Sequence, residues 1–134
     1  NILPIMTTGL AEVVCGIIDG NLSATRLGFE SLATVCKYVV PEGYPEAPRS
    51  AEPITVGDAG RARLYYANVE ETDGILSTQT SRTLAFVGIA GTLSEAEQTA
   101  EAAASSVKGR VYHRRDIGTP ELLARRSAHM EALR

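Results

Sequence analysis

The sequence is poor in the residues that staple small proteins together or load them with metal. Of 134 residues two are cysteine, two are histidine and none is tryptophan. Cys15 and Cys36 are too few for a disulfide framework and both sit inside apolar periodic segments. They are expected to be reduced, buried small hydrophobes of a cytoplasmic protein. The sequence contains no Cys/His/Asp cluster at zinc spacing, no P-loop, no G-x-G-x-x-G and no G-x-S-x-G. Long apolar runs are missing too. Residues 32–40 are interrupted by Thr34 and Lys37, and 84–93 by Gly88, Gly91 and Thr92, whereas a membrane span takes about 20 apolar residues. Nor is there an excess of positive charge. Thirteen Lys and Arg face 16 Asp and Glu, a net charge of -3, which argues against a protein built to neutralise a nucleic-acid backbone.

The composition is 44% hydrophobic and 22% charged, that of one globular domain able to bury roughly two-thirds of its unfolded surface without a staple. The chain begins at Asn1, with no charged n-region followed by an apolar core. It is therefore expected to be part of a longer chain, with no signal peptide in view. Charge is unevenly spread: residues 109–134 carry 6 basic and 3 acidic side chains, against 7 and 13 in 1–108. In the basic stretch 110–126 Tyr112 is the only aromatic, so neither nucleic acid nor membrane is expected as a partner.

Leu10, Val13, Val14, Ile17 and Ile18 repeat at helical spacing between Thr7 or Thr8, available as N-cap, and Gly20. The pattern predicts a helix over about 8–19. Thr34 to Val40 is β-branched and aromatic and reads as a strand ending at Pro41. Four prolines between 41 and 53 mark a loop rather than sheet. Strand-like runs follow at 63–69, 75–80 and 82–90, with Thr72-Asp73-Gly74 as a turn, and predict an antiparallel meander. Thr92 with Glu95, or Ser94 with Glu97, supplies a capping box. It opens a helix whose inner positions are mostly alanine, a face that allows close approach to a sheet. Residues 110–113 read as a short strand. Thr119-Pro120 opens a last helix through Leu133.

Most of the polar residues point to no chemistry, and His113 and His129 read as a solvated or partly packed pair without a catalytic role. Two segments stand out. In Thr80-Ser81-Arg82-Thr83-Leu84 a guanidinium and several hydroxyls or amides meet where one strand turns into the next. That arrangement suits a phosphate and equally suits an exposed turn arginine. In Arg114-Arg115-Asp116-Ile117-Gly118 one arginine pairs with the carboxylate to brace the turn, leaving the other for solvent or ligand.

Asn1-Ile2-Leu3-Pro4, Asp19-Gly20-Asn21-Leu22, the run from Ala33 to Pro45, Ser81 to Ala90, Leu93-Ser94-Glu95-Ala96 and Arg114 to Gly118 occur in that order. As an ordered set they resemble the C-terminal portion of the phosphoribosylamine-glycine ligase (glycinamide ribonucleotide synthetase) family, in a form similar to its archaeal members. The resemblance implies an ATP-grasp ligase of purine biosynthesis. It would join glycine to 5-phosphoribosylamine through glycyl phosphate, with ADP and phosphate released. It further implies an α+β architecture, with residues 1–32 the helical tail of the ATP-grasp domain. Residues 33–134 would be a small antiparallel barrel-like sheet with flanking helices, similar to a rudimentary single-hybrid motif.

The family's Glu-Phe-Asn-x-Arg metal motif would precede Asn1, so this piece is expected to carry no catalytic and no metal-binding residue. ATP and Mg2+ or Mn2+ would be bound by the missing N-terminal part, its main partner, and neither Lys37 nor Lys108 matches the ATP-gripping lysines. The piece alone is expected to be inactive. By resemblance Arg82, with Ser81, would hold the substrate phosphate, although Thr80-Ser81-Arg82 stands where bacterial members have Gly-Gly-Arg. Arg114, Arg115 and Asp116 rank second as substrate or structural residues. The other reading is a stand-alone, non-catalytic binding or interaction module.

Overall fold

The computed structural model describes residues 1–133, which fall into two compact units, Asn1–Leu32 and a second that begins at Ala33. In the first unit Pro4 helps open a 3-10 turn over Leu3–Ile5, followed by helix α1 over Leu10–Ile18 and a second 3-10 turn over Leu22–Ala24. A bridge between Met6 and Phe29 and backbone bonds from Thr7 to Gly28 and from Glu30 to Ile5 close the unit. The threonines do not cap α1. Its N-cap is Gly9, with no side-chain bond. Thr8 Oγ1 instead donates to the Arg26 carbonyl and accepts the Gly28 amide, both at 2.8 Å, because that tie satisfies the returning chain. Gly20, at φ 65°, follows the end of α1 as expected. None of the α1 residues is buried, and Cys15 is exposed rather than packed, since the apolar face formed by Leu10, Val14 and Ile17 is itself exposed.

The second unit begins with strand β1 over Ala33–Pro41, followed by β2 (Pro53–Thr55), β3 (Arg63–Tyr66), β4 (Val69–Thr72), β5 (Ile75–Thr78) and β6 (Leu84–Ala90). Helix α2 (Leu93–Ser105), strands β7 (Lys108–Gly109) and β8 (Val111–His113) and helix α3 (Pro120–Ala132) complete it. The strands form two four-stranded antiparallel sheets, ordered β3-β6-β1-β8 and β4-β5-β2-β7. The mixed α+β class and the antiparallel sheets agree with expectation, but the meander does not. The run 63–69 is two strands: β3 pairs with β6, and after Ala67 and Asn68 donate back to Thr83 and Arg82 the chain enters β4, which pairs with β5 in the other sheet. Strand β2, at the end of the proline-rich stretch, and the two-residue β7 were not anticipated, being too short to show a period. The capping box on α2 is the Thr92 and Glu95 pair, and Thr119 caps α3 ahead of Pro120.

The core lies between the sheets and α2. Val39, Ile54, Leu84 and Phe86 join Ala103 and Ala104 in one buried cluster, and Val35, Ala96 and Ala100 form a second. The alanine face brings α2 close to the sheet, and Gly88 is the sheet's half of that contact. A methyl group at Gly88 would overlap the Ala96 carbonyl and the Ala100 amide, both backbone and unable to swing aside. Gly88→Ala is therefore expected to lower stability by about 1–3 kcal/mol. Gly91→Ala, which meets nothing nearer than 3.8 Å, should stay within about 0.5 kcal/mol. Urea midpoints of the two variants check this contrast.

Candidate functional site

Strand β1 alternates between two environments, as a strand must. Val35, Lys37 and Val39 lie opposite Gly88, Phe86 and Leu84 on the face that meets α2. Cys36, Tyr38 and Val40 are on the other face. That outer face carries a cleft of about 290 Å³ lined by Cys36, Tyr38, Val40, Tyr44, Arg82, Tyr112, Arg114 and Ile117. Tyr112 reaches it because it pairs with Val40 across β8. Its hydroxyl donates to the Tyr44 carbonyl at 2.7 Å and so ties the loop after β1 to the cleft wall.

Arg82 sits in the segment between β5 and β6, exposed, with its guanidinium 4.8 Å from the centroid of the Tyr38 ring. Among the described residues no carboxylate lies within ion-pair distance of it. Among those residues its charge has no counter-ion, and stacking on a ring orients it without neutralising it. Next to it Thr83 is fully buried, its amide bonded to the Val39 carbonyl and its hydroxyl without a partner among the described residues. Ser81 is half-buried and does not line the cleft.

The Arg114 to Gly118 turn separates its two arginines. Arg114 lines the cleft, and its Nε and Nη2 donate to the two Asp116 oxygens at 3.0 and 2.6 Å. This fork holds the Asp116 carboxyl below the usual carboxylate range and raises the guanidinium in turn. Asp116 is the brace anticipated from the sequence. Arg115 does not reach the cleft. It is exposed, its Nε lying 3.7 Å from Glu101 near the α2 face of the sheet.

Directly beneath the cleft floor is a cluster that the sequence reading missed. The Lys37 side chain is completely buried, and its Nζ donates to Glu97 at 2.6 Å, to Glu101 at 2.7 Å and to the Arg115 carbonyl at 2.7 Å. His113 Nε2 lies 3.1 Å from both Glu101 oxygens and is partly packed, while His129 is exposed on α3. The available signal was a single charged residue at an inward position of β1, with two glutamates one helical turn apart beside Ala100. Cys36 is half-buried in the cleft, and burial pushes its thiol up, opposed in part by Arg82. It lines the cleft.

The arrangement can offer an anion one free guanidinium and a second braced one, over an apolar, tyrosine-rich floor. Among the described residues no three His, Cys, Asp or Glu side chains converge in a way that could hold a metal ion, and no helix is long and apolar enough to cross a membrane.

Burial by itself would raise the Glu101 carboxyl, but bonds from Lys37 and His113 outweigh it and hold it below its ordinary value of 4.5. With a lowered native pKa, the unfolded chain takes up the proton first as pH falls. The stabilisation is complete above the ordinary value and drains away as pH drops through the native one. Glu101→Gln should therefore flatten the acid limb of a plot of thermal midpoint against pH between roughly pH 6 and pH 2. Parallel curves for the variant and the parent would remove Glu101 from the titrating set.

Comparison with known proteins places the domain. Residues 34–120, well over half of the chain, match the family described as phosphoribosylglycinamide synthetase, C domain. The phosphoribosylamine-glycine ligase of Methanoregula boonei is 62% identical over 133 residues, covering 99% of this chain and 31% of that protein. The ligase of Methanocorpusculum labreanum is 51% identical over the whole chain, again 31% of its own length. Among solved structures, phosphoribosylamine-glycine ligase from Thermotoga maritima superposes with a TM-score of 0.54 at 33% identity, over 60% of this chain and 20% of that one. The chain thus spans about a third of the length of the curated relatives it matches. By this match over residues 34–120, the chain belongs to the phosphoribosylglycinamide synthetase C-domain family.

Proposed function

We propose that this chain is the C-terminal portion of a phosphoribosylamine-glycine ligase, and that its share of the reaction is to hold the phosphate of 5-phosphoribosylamine with Arg82. In that reaction ATP phosphorylates the glycine carboxylate, ADP leaves, and the amine of phosphoribosylamine displaces phosphate to form the amide bond. The observation that carries the assignment is the state of Arg82: exposed, at a cleft, free of any carboxylate among the described residues and oriented by Tyr38. A phosphomonoester dianion gains short, strong bonds from such a fork. Arg114 serves as a second, weaker ligand because Asp116 already occupies two of its donors. Ser81 lies beside Arg82 in the chain as a neutral donor, and Arg115, turned toward Glu101, takes no part.

The remaining functions belong to the part of the enzyme outside this chain. Holding Mg2+ falls to that part. Holding ATP and transferring its phosphoryl group likewise fall to the rest of the enzyme, whose relatives are three times as long. Within the full-length enzyme this chain positions one substrate, which lowers the entropic barrier to amide formation.

Arg82→Ala in the full-length enzyme should raise the KM for phosphoribosylamine about tenfold or more, the scale of one charge-assisted bond, while the KM for ATP moves less than about twofold. Arg115→Ala should leave both unchanged. Steady-state kinetics with each substrate varied in turn decides this, and an unchanged KM for phosphoribosylamine in Arg82→Ala removes Arg82 from the site.

A further inference from the structure

We propose that Lys37 is a positioning residue of the cleft: its buried ammonium grips the Arg115 carbonyl from beneath the sheet and so fixes the turn that holds the Arg114 guanidinium beside Arg82. The functional half of this statement rests on the sugar-phosphate reading above. The structural half does not.

Stability alone does not call for a lysine at this position. Its neighbours on the same face, Val35 and Val39, and its cross-strand partner Phe86 are apolar and buried. An aliphatic side chain of similar length would fill the space, and replacing a buried ion cluster by apolar groups is often neutral or stabilising. An aliphatic chain could not, however, bond a backbone carbonyl. The three protons of the Lys37 ammonium are distributed to Glu97, Glu101 and the Arg115 carbonyl, which joins β1, α2 and the turn after β8 at one point. The two glutamates neutralise the charge and aim it. The third bond carries the information, because that carbonyl belongs to the peptide unit between Arg115 and Asp116.

The same turn is tied elsewhere. Arg114 closes on Asp116 through two bonds, and the hydroxyl and amide of Thr119 both donate to the Asp116 carbonyl, at 3.0 and 3.2 Å. Gly118, at φ 85°, leaves no room for a side chain against Val35. The bonds within the turn set its shape and do not themselves reach β1. The β8 pairing of His113 with Val39 brings the chain to the edge of the turn, and Ile117 and Gly118 pack at Val35. Among the described residues the Lys37 bond is the hydrogen bond that ties a peptide unit of the turn itself to the strand whose opposite face carries Tyr38, and Tyr38 in turn carries Arg82. The two guanidinium groups are thus referenced to consecutive residues of one strand, Lys37 and Tyr38.

The test uses the full-length enzyme with Lys37→Met/Glu97→Gln/Glu101→Gln, which removes the ion cluster at nearly constant volume. The first measurement is amide hydrogen exchange followed by mass spectrometry. Peptides covering 114–119 should exchange about tenfold faster while those from β6 are unchanged. The second is kinetic: the KM for phosphoribosylamine should rise about tenfold with the KM for ATP unmoved. Adding Arg114→Ala to the triple variant should cost nothing more, whereas adding Arg82→Ala should retain its full effect. A general loss of structure would not show that selectivity. Should the triple variant fail to fold, Lys37→Gln, uncharged and shorter, takes its place in the same two measurements.

Exchange at 114–119 equal to the parent in a folded variant overturns the positioning role, whatever the kinetics. Exchange that accelerates while Arg82→Ala leaves KM untouched upholds the role of Lys37 in the turn and sinks the sugar-phosphate reading instead.

Discussion

The close seating of α2 on the sheet is the contact from which the rest of the second unit is organised. Alanines at 96, 100, 103 and 104 present a nearly flat helix face, and at Gly88 β6 has no Cβ to strike the α2 backbone. At that separation a lysine on β1 reaches two carboxylates on α2 and a carbonyl beyond it, while remaining wholly out of solvent. A bulkier helix face would push Glu97 and Glu101 away from Lys37. A buried ammonium left without partners would be far more damaging than any loss of packing. Small residues and a buried charge, which look unrelated in the sequence, are therefore two parts of one constraint.

The two faces of β1 divide the labour that follows. One is a closed electrostatic knot in which Lys37 uses all three of its donors; the other is an open cleft in which charge is kept in reserve. Arg82 and Arg114 differ in how their charge is held. Arg114 is braced by an acid and retains part of its fork, whereas Arg82 rests against an aromatic ring and keeps all of it. A ring contact of this kind contributes only about 0.5–1 kcal/mol at an exposed site. It is enough to bias orientation and too little to compete with a dianion, a balance suited to a group meant to exchange its partner.

Much of this organisation could be read from residues alone, for reasons that are physical. The long helices α2 and α3 carried both period and caps, and Thr92 with Glu95 and Thr119 with Pro120 opened them as expected. Arg114 with Asp116 was visible as a local pair because the partners are two residues apart. What escaped was non-local. The run 63–69 has one uninterrupted β pattern, and nothing in it announces that Ala67 and Asn68 hand the chain from one sheet to the other. Lys37 finds its partners 60, 64 and 78 residues away, so its burial could only be guessed from its inward register. Cys15 was read as core because its helix is apolar, yet periodicity reports which residues share a face and not whether anything covers it.

The segment that bears Arg82 is also the passage between the two sheets, leaving β5 of one and entering β6 of the other. It is anchored at both ends: the Thr78 hydroxyl bonds the Arg49 carbonyl, and the Thr83 amide bonds Val39. Between those anchors lie only four residues. Sliding of one layer over the other would be felt in this short bridge as well as in the crossings at 67–68 and Arg110, so the guanidinium acts as a pointer on the seam, registering deformation that arises far from the substrate.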